Sequence, residues 1–189
     1  MVDPEVISGR LGNKMFQLAF LYTYARKNKL ELVDNGLGYY FQDSSYFEEF
    51  RQEIMTLFGI GIRLIPDTVA LHVRRGDYVH HPFYVDLSLT DYYERAMQEF
   101  PNARFLVFSD DIEWCKVQKV FEGCDFIDSI DEITDFNTMA GCTGHIIANS
   151  TYSFWAAYVA PYTKKIVAPK LWYTDNSNRT VLPTEWIRL

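Results

Sequence analysis

Cysteine, proline and glycine are scarce in this chain, at 3, 7 and 10 of 189 residues. The cysteines, Cys115, Cys124 and Cys142, have no CxxC spacing, and pairing two would leave one over. That pattern points to the reduced thiols of an intracellular protein rather than to a disulfide framework or a zinc site. Basic residues are outnumbered, 18 against 25 acidic, for a net charge of −7. An acidic balance excludes a general nucleic-acid binder, which carries a broad cationic field. A bound phosphate would therefore need a local site. Apolar runs are short as well: "FQLAFLYTYA" is interrupted well before the length of a bilayer span. The start, "MVDPEVISGRLGNK", lacks a basic segment followed by an apolar one, so no signal peptide and a cytoplasmic location are expected.

Several chemical signatures are missing too. There is no GxxxxGK[ST] loop, no GxGxxG after a strand, no GxSxG and no HExxH. The first absence excludes a P-loop nucleotidase, and the second weakens a nicotinamide dehydrogenase. No Asp-x-Asp occurs either, so a metal held between two such carboxylates under a diphosphate is not indicated. Aromatic residues, by contrast, are plentiful at 16%, and most read as core.

The chain has enough hydrophobic residues, 48%, to bury a real core, and its periodicity shows an α/β organisation. "EVIS" (5–8) reads as a strand and "GRLGN" as a glycine turn. A helix follows, with Leu11, Met15, Leu18, Ala19, Tyr22 and Ala25 on its inner face and Lys14, Gln17 and Lys27 off it. "LELVD" (30–34) is the next expected strand, "YFEEFRQEIMTLFG" a helix, and Pro66 the end of a connector. From Thr68 onward strands and helices alternate: 68–73, 89–100, 104–108, 111–121, 125–128, 131–142, 145–148, 150–160 and 164–168. Thr90 is a plausible N-cap of the first of these helices. Five strands alternating with four helices predict a Rossmann-type parallel sheet covered by helices. A boundary near residue 66 separates a small N-terminal α/β half, 1–66, from a sheet domain, 67–189.

In open α/β sheets ligands bind beyond the carboxyl ends of the strands. Three polar clusters fall at such ends: His72 to Asp77 in "HVRRGD", Ser109-Asp110-Asp111, and Asn149-Ser150-Thr151-Tyr152-Ser153. Alternation along 68–73 places Val69, Leu71 and Val73 on one face and Ala70, His72 and Arg74 on the other. Arg74 is thus the arginine expected to reach a ligand, with Arg75 paired or exposed. A guanidinium donates two parallel hydrogen bonds to phosphate, and a helix opening on "NSTYS" offers free N–H groups to an anion. Together they predict a diphosphate site. Each residue also has a simpler structural account: Ser150 as a helix cap, Arg74 and Asp77 as an ion pair, His72 as a satisfied core histidine, and Asp110 and Asp111 as complements to a helix terminus. The Arg75-Gly76-Asp77 tripeptide at a buried strand end is not an adhesion motif.

Four segments in order, "GRLGNKMFQLA" (9–19), "HVRRGDY" (72–78), "FSDD" (108–111) and "IIANSTYSFWAA" (146–157), resemble the α-1,2-fucosyltransferases of glycosyltransferase family 11. The ending "APKLWY…LPTEWIRL" is similar as well. The resemblance implies a GT-B-like fold with a shortened N-terminal half, and GDP-β-L-fucose as donor substrate. It also implies inversion at the anomeric carbon, no cofactor and no required metal, and a glycan acceptor that takes fucose α-1,2 to galactose. By that similarity Arg74 would hold the β-phosphate and the Ser150–Ser153 segment would support it. His72 and Asp135 would contact guanosine, Gly12 and Asn13 would face the sugar across the cleft, and Asp77 is the nominee for a general base. Arg75, Ser109, Asp110 and Asn149 complete the expected donor-binding set. Lys14 stands where the family usually has glutamine, and the interval between the first two motifs is shorter than usual. A non-catalytic GDP-sugar or glycan-binding module, or a transferase for another GDP-sugar, are the alternatives. An apolar face left by the short half would favour a homodimer.

Overall fold

The computed structural model describes residues 7–28, 42–59, 61–128, 131–177 and 180–189. Six parallel strands form one sheet in the order β3-β2-β1-β4-β5-β6. They are β1 (Ile65–Val73), β2 (Arg104–Ser109), β3 (Asp125–Phe126), β4 (Cys142–Ile146), β5 (Lys165–Ala168) and β6 (Ile187–Arg188). The helices are α1 (Leu11–Asn28), α2 (Arg51–Phe58), α3 (Tyr92–Gln98), α4 (Ile112–Lys116), α5 (Glu132–Gly141) and α6 (Thr151–Tyr158). The α/β, Rossmann-like class expected from the alternation is therefore the observed one. Among the described residues no helix is long and apolar enough to cross a membrane.

Strand alternation sorts the core into two layers. Val69, Leu71 and Val73 join Tyr92, Tyr93 and Ala96 of α3 and Cys115 of α4 on one face of the sheet. Ala70, Leu106 and Phe108 face the other side, against α1, α2, α5 and α6. Helix α6 is buried from Ser153 through its end, because it lies between the sheet and its neighbouring helices and so is apolar all round. Its Trp155 is packed by Phe16 of α1 at 5.0 Å, Phe47 at 5.3 Å and Phe58 of α2 at 5.3 Å between ring centroids.

Several local expectations shift. Pro66 does not end a connector but lies inside β1, at an irregularity in the pairing with β4 between Ile65 and Val69. Proline has no N–H for the ladder, and a bulge is where a strand tolerates that; Asp67 beside it has φ 50°. In α1 the buried stripe is Gly12, Met15, Phe16, Ala19 and Thr23, whereas Leu18 is exposed. Gln17, expected off the inner face, is buried: its amide bridges Ser8 and the Asn13 carbonyl and clamps the glycine turn onto the helix. The expected helix at 46–59 starts as two tighter turns at Ser44–Tyr46 and Glu48–Phe50 before α2. The helices expected at 89–100 and 111–121 are short, and Asp91 rather than Thr90 is the cap of α3, although the Thr90 hydroxyl accepts from Tyr92 N at 3.2 Å. β4 begins three residues before the expected strand, and β6 was not foreseen. The expected strands at 5–8 and 30–34 lie outside the described residues, save Ile7 and Ser8, which belong to no regular element. All three cysteines are free thiols, and burial raises that of Cys142 to about 12.

The contact between α1 and α6 turns on one glycine. A Cβ at Gly12 would stand 2.5 Å from the Thr151 carbonyl carbon and 2.6 Å from Tyr152 N. Helix propensity alone would favour alanine there by roughly 1 kcal/mol. Backbone cannot yield to the added carbon, so overpacking of about 1–3 kcal/mol should win. Gly12→Ala is expected to lower the urea midpoint, despite the better helix former.

Histidine 145 supplies a second prediction. It is buried, with its ring nitrogens at 3.0 Å from Thr163 Oγ1 and from the Met139 carbonyl. Burial pulls its pKa from 6.5 down to about 4, against the opposing pull of that carbonyl. An unfolded chain therefore takes up a proton that the native state refuses. The resulting stability is complete above about pH 6.5 and is lost as pH falls toward 4. Urea midpoints measured across that range should slope downward with acid, and less steeply in His145→Gln.

Candidate active site

The strand order reverses direction at β1, which has β2 on one side and β4 on the other. A crevice must open there beyond the carboxyl ends, since the connections leave toward opposite faces. It is occupied by a cleft of about 610 Å³ lined by the glycine turn before α1, the segments after β1 and β2, the first turns of α5 and α6, and Trp172 and Tyr173. The three polar clusters at strand ends do converge on one edge.

Alternation separates the two arginines. Arg74 enters the cleft, mostly buried, with Nη1 2.7 Å from Asp110 Oδ2 and Nη2 paired with Asp77. Its guanidinium lies 5.2 Å from the Tyr78 ring centroid. Arg75 turns to the opposite side: Nε meets Asp111 at 3.1 Å, Nη1 donates to Ser88 Oγ at 2.7 Å, and the guanidinium stacks 3.7 Å over Trp114. Arg75, grouped on sequence with the donor-binding residues, does not line the cleft. Its backbone N–H donates to Asp110 Oδ1 at 2.9 Å, so Asp110 is held from both arginines. A Cβ at Gly76 would overlap Asp110 Oδ2, so a larger residue there would displace the carboxylate that holds Arg74. Asp77 is half exposed and also lies 3.7 Å from Arg10 Nη2.

His72 is not a satisfied core histidine. It lines the cleft while only 6% exposed, and its Nδ1 has no hydrogen-bond partner. Burial, and then the nearby Arg74 charge, hold its pKa down at about 3. The ring is therefore neutral, and its buried Nδ1 keeps unspent hydrogen-bonding capacity.

Ser150 occupies the N-cap position of α6, yet its hydroxyl caps nothing. The first N–H groups of α6 are thus left without a side-chain cap beside Ser150, Thr151 and Tyr152, which line the cleft. Thr151 Oγ1 donates instead to Asn13 Oδ1 at 3.1 Å. Tyr152 bonds the Glu132 carbonyl at 2.5 Å and packs near His72, tying α6 to α5. Gly12, Asn13, Asp77, Ser109, Asp110 and Asp135 also line the cleft. Asn149 and Ser153 do not. Asn149 donates to the Val85 and Trp172 carbonyls at 2.9 and 3.0 Å and fastens the two loops behind the site. Ser153 is fully buried and donates back to the Ser150 carbonyl at 3.3 Å.

The cleft also contains residues that sequence reasoning assigned no role: Arg10, Gln42, Tyr78, Tyr84, Asp131, Glu132, Trp172 and Tyr173. Tyr78 and Tyr84 stack at 4.1 Å and 4°, and Tyr84 packs on Tyr173 at 5.7 Å. Asp131 caps α5 by accepting from Ile133 N and Thr134 N at 3.1 and 3.0 Å. Its carboxyl is held below the usual range by the Thr134 hydroxyl first and those N–H groups next. Near β1, α1 and α6 the cations Arg10 and Arg74 are paired with Asp77 and Asp110, whereas Asp131, Glu132 and Asp135 cluster at the start of α5.

Residues 37–189 match the family model described as glycosyl transferase family 11. Two Escherichia coli proteins are similar to the chain. An O-antigen biosynthesis glycosyltransferase, WbnK, is 31% identical over 90% of this chain, and an alpha-1,2-colitosyltransferase is 31% identical over 79%. The chain spans 66% and 61% of their respective lengths. The match covers the β1 arginines, the β2 and β4 loops and the C-terminal segment, which line the cleft opposite the glycine turn, and the chain belongs to glycosyl transferase family 11.

Proposed function

We propose that the protein is an inverting sugar transferase that moves L-fucose from GDP-β-L-fucose to a glycan hydroxyl, α-1,2 to galactose, without a metal. The observation that carries this proposal is Arg74, buried at the mouth of the cleft beside the uncapped first turn of α6. A diphosphate would lie between them, exchanging places with Asp77 and Asp110 on the guanidinium. The acidic first turn of α5 suits the other end of the ligand. A guanine presents N–H donors, which Asp135 would accept, and neutral His72 supplies one more donor or acceptor. Residues 67–189 would then carry the donor, and 1–66 the acceptor side.

In the reaction the acceptor oxygen attacks the anomeric carbon, and the bond from that carbon to the β-phosphate oxygen breaks. The electron pair leaves with GDP, and the acceptor's proton goes to a base. Arg74 and the α6 N–H groups stabilise the charge gathering on the diphosphate, the place where preorganised donors contribute most. Asp77, released when Arg74 turns to phosphate, is the nominee for the base. The similarity to an alpha-1,2-colitosyltransferase supports a second reading, in which the same cleft takes another GDP-sugar.

Titration calorimetry in EDTA should show binding of GDP-fucose in preference to GDP-mannose and UDP-galactose. Arg74→Ala should weaken it and lower kcat by roughly 10²–10³-fold, about 3 kcal/mol of barrier. Metal-dependent turnover indifferent to Arg74 would overturn the proposal. Nucleotide-sugar binding with no transfer to any glycan would replace it with a binding module.

A further inference from the structure

The side chain of Asn13 is held by residues far away in sequence. Its Oδ1 accepts from Gln42 Nε2 at 3.0 Å and from Thr151 Oγ1 at 3.1 Å. Gln42 is fixed at its other end, where Oε1 accepts from Thr180 Oγ1 at 2.9 Å and from the Tyr173 hydroxyl at 3.3 Å. Its main chain is anchored as well: the Gln42 carbonyl accepts from Val181 N at 2.9 Å. Gln17 holds the Asn13 carbonyl from the opposite side at 3.0 Å.

A carboxamide has one end that only accepts and one that only donates. In the observed arrangement Gln42 Oε1 lies against the Thr180 and Tyr173 hydroxyls, which also meet each other at 3.1 Å, and its NH2 group faces Asn13. Only the oxygen of Asn13 can meet that donor. The Nδ2 group of Asn13, a residue lining the cleft, then makes no hydrogen bond among the described residues.

We infer that Gln42 is a positioning residue: the amide end it turns to Asn13 decides which end Asn13 offers the ligand, and the observed arrangement offers N–H donors rather than a carbonyl. The inference rests on the transfer reaction proposed above. An oxygen gaining negative charge as the bond to diphosphate breaks is stabilised by an N–H and repelled by a carbonyl. Gln42 thereby acts on the reaction through Asn13.

Thr180 and Tyr173 hydroxyls can accept as well as donate, so the whole chain could run in reverse, and one nearly isosteric change forces that reversal. In Gln42→Glu the carboxylate can only accept. Asn13 must turn its NH2 toward residue 42 and its oxygen toward the cleft. Gln42→Glu should therefore lower kcat by roughly 10²-fold, with the thermal midpoint little changed. Asn13→Ala should lose as much, and adding Gln42→Glu to Asn13→Ala should cost no more. Full kcat in Gln42→Glu would overturn the inference.

A second readout needs no turnover. In 15N-labelled protein the Asn13 side-chain amide, assigned by its loss in Asn13→Asp, should exchange rapidly with solvent. Gln42→Glu should shift one of its protons downfield and slow its exchange. A wild-type Asn13 amide already protected, and unchanged by Gln42→Glu, would overturn the inference. Absence of transfer by the wild type would sink the proposed function instead, with these resonances still deciding the role of Gln42.

Discussion

Backbone meets backbone where Gly12 of α1 lies against Thr151 and Tyr152 of α6, and the cleft depends on that approach. No other residue lets the two helices start so close together. Their proximity puts the glycine turn opposite the β1 arginines, and brings Asn13 within a hydrogen bond of Thr151. The rest of the layer supports the contact. Phe16, one turn further along α1, packs on Phe154 at 4.7 Å and on Trp155 at 5.0 Å, so the aromatic core fixes the same pair of helices. Gln17 then clamps the turn to the helix that carries it.

Charge follows from that geometry. A guanidinium as buried as that of Arg74 costs several kcal/mol if left uncompensated. Asp77 and Asp110 supply the compensation, and both line the cleft, where an incoming anion can replace them. Arg74 in turn helps keep His72 neutral, so one charge sets the hydrogen-bonding character of its neighbour. Arg75, one residue on, points away from the cleft: Asp111, Ser88 and Trp114 hold its guanidinium on the far face.

Much of this was legible along the chain. The two-residue period of β1 separates Arg74 from Arg75, because successive side chains on a strand point to opposite faces. Strand ends could be read from the apolar runs, and a parallel sheet brings such ends to one edge. Short-range chemistry was less reliable. Pro66 reads as a stop, yet a bulge admits it to the strand. Gln17 reads as a surface residue, yet a buried backbone carbonyl needs its amide. His72 reads as core, which is right for its burial and wrong for its unpartnered nitrogen.

The α/β class, the order of the elements and the choice of Arg74 were determined by the sequence itself, since each rests on a local period or on residue type. The partners across the cleft were decided only in three dimensions. Asn13 meets Thr151, and Gln42 meets Thr180, each over 138 positions. No period links residues that far apart. Which amide end faces the ligand depends on hydroxyls that the chain brings together only when its C-terminal segment folds back beside Gln42.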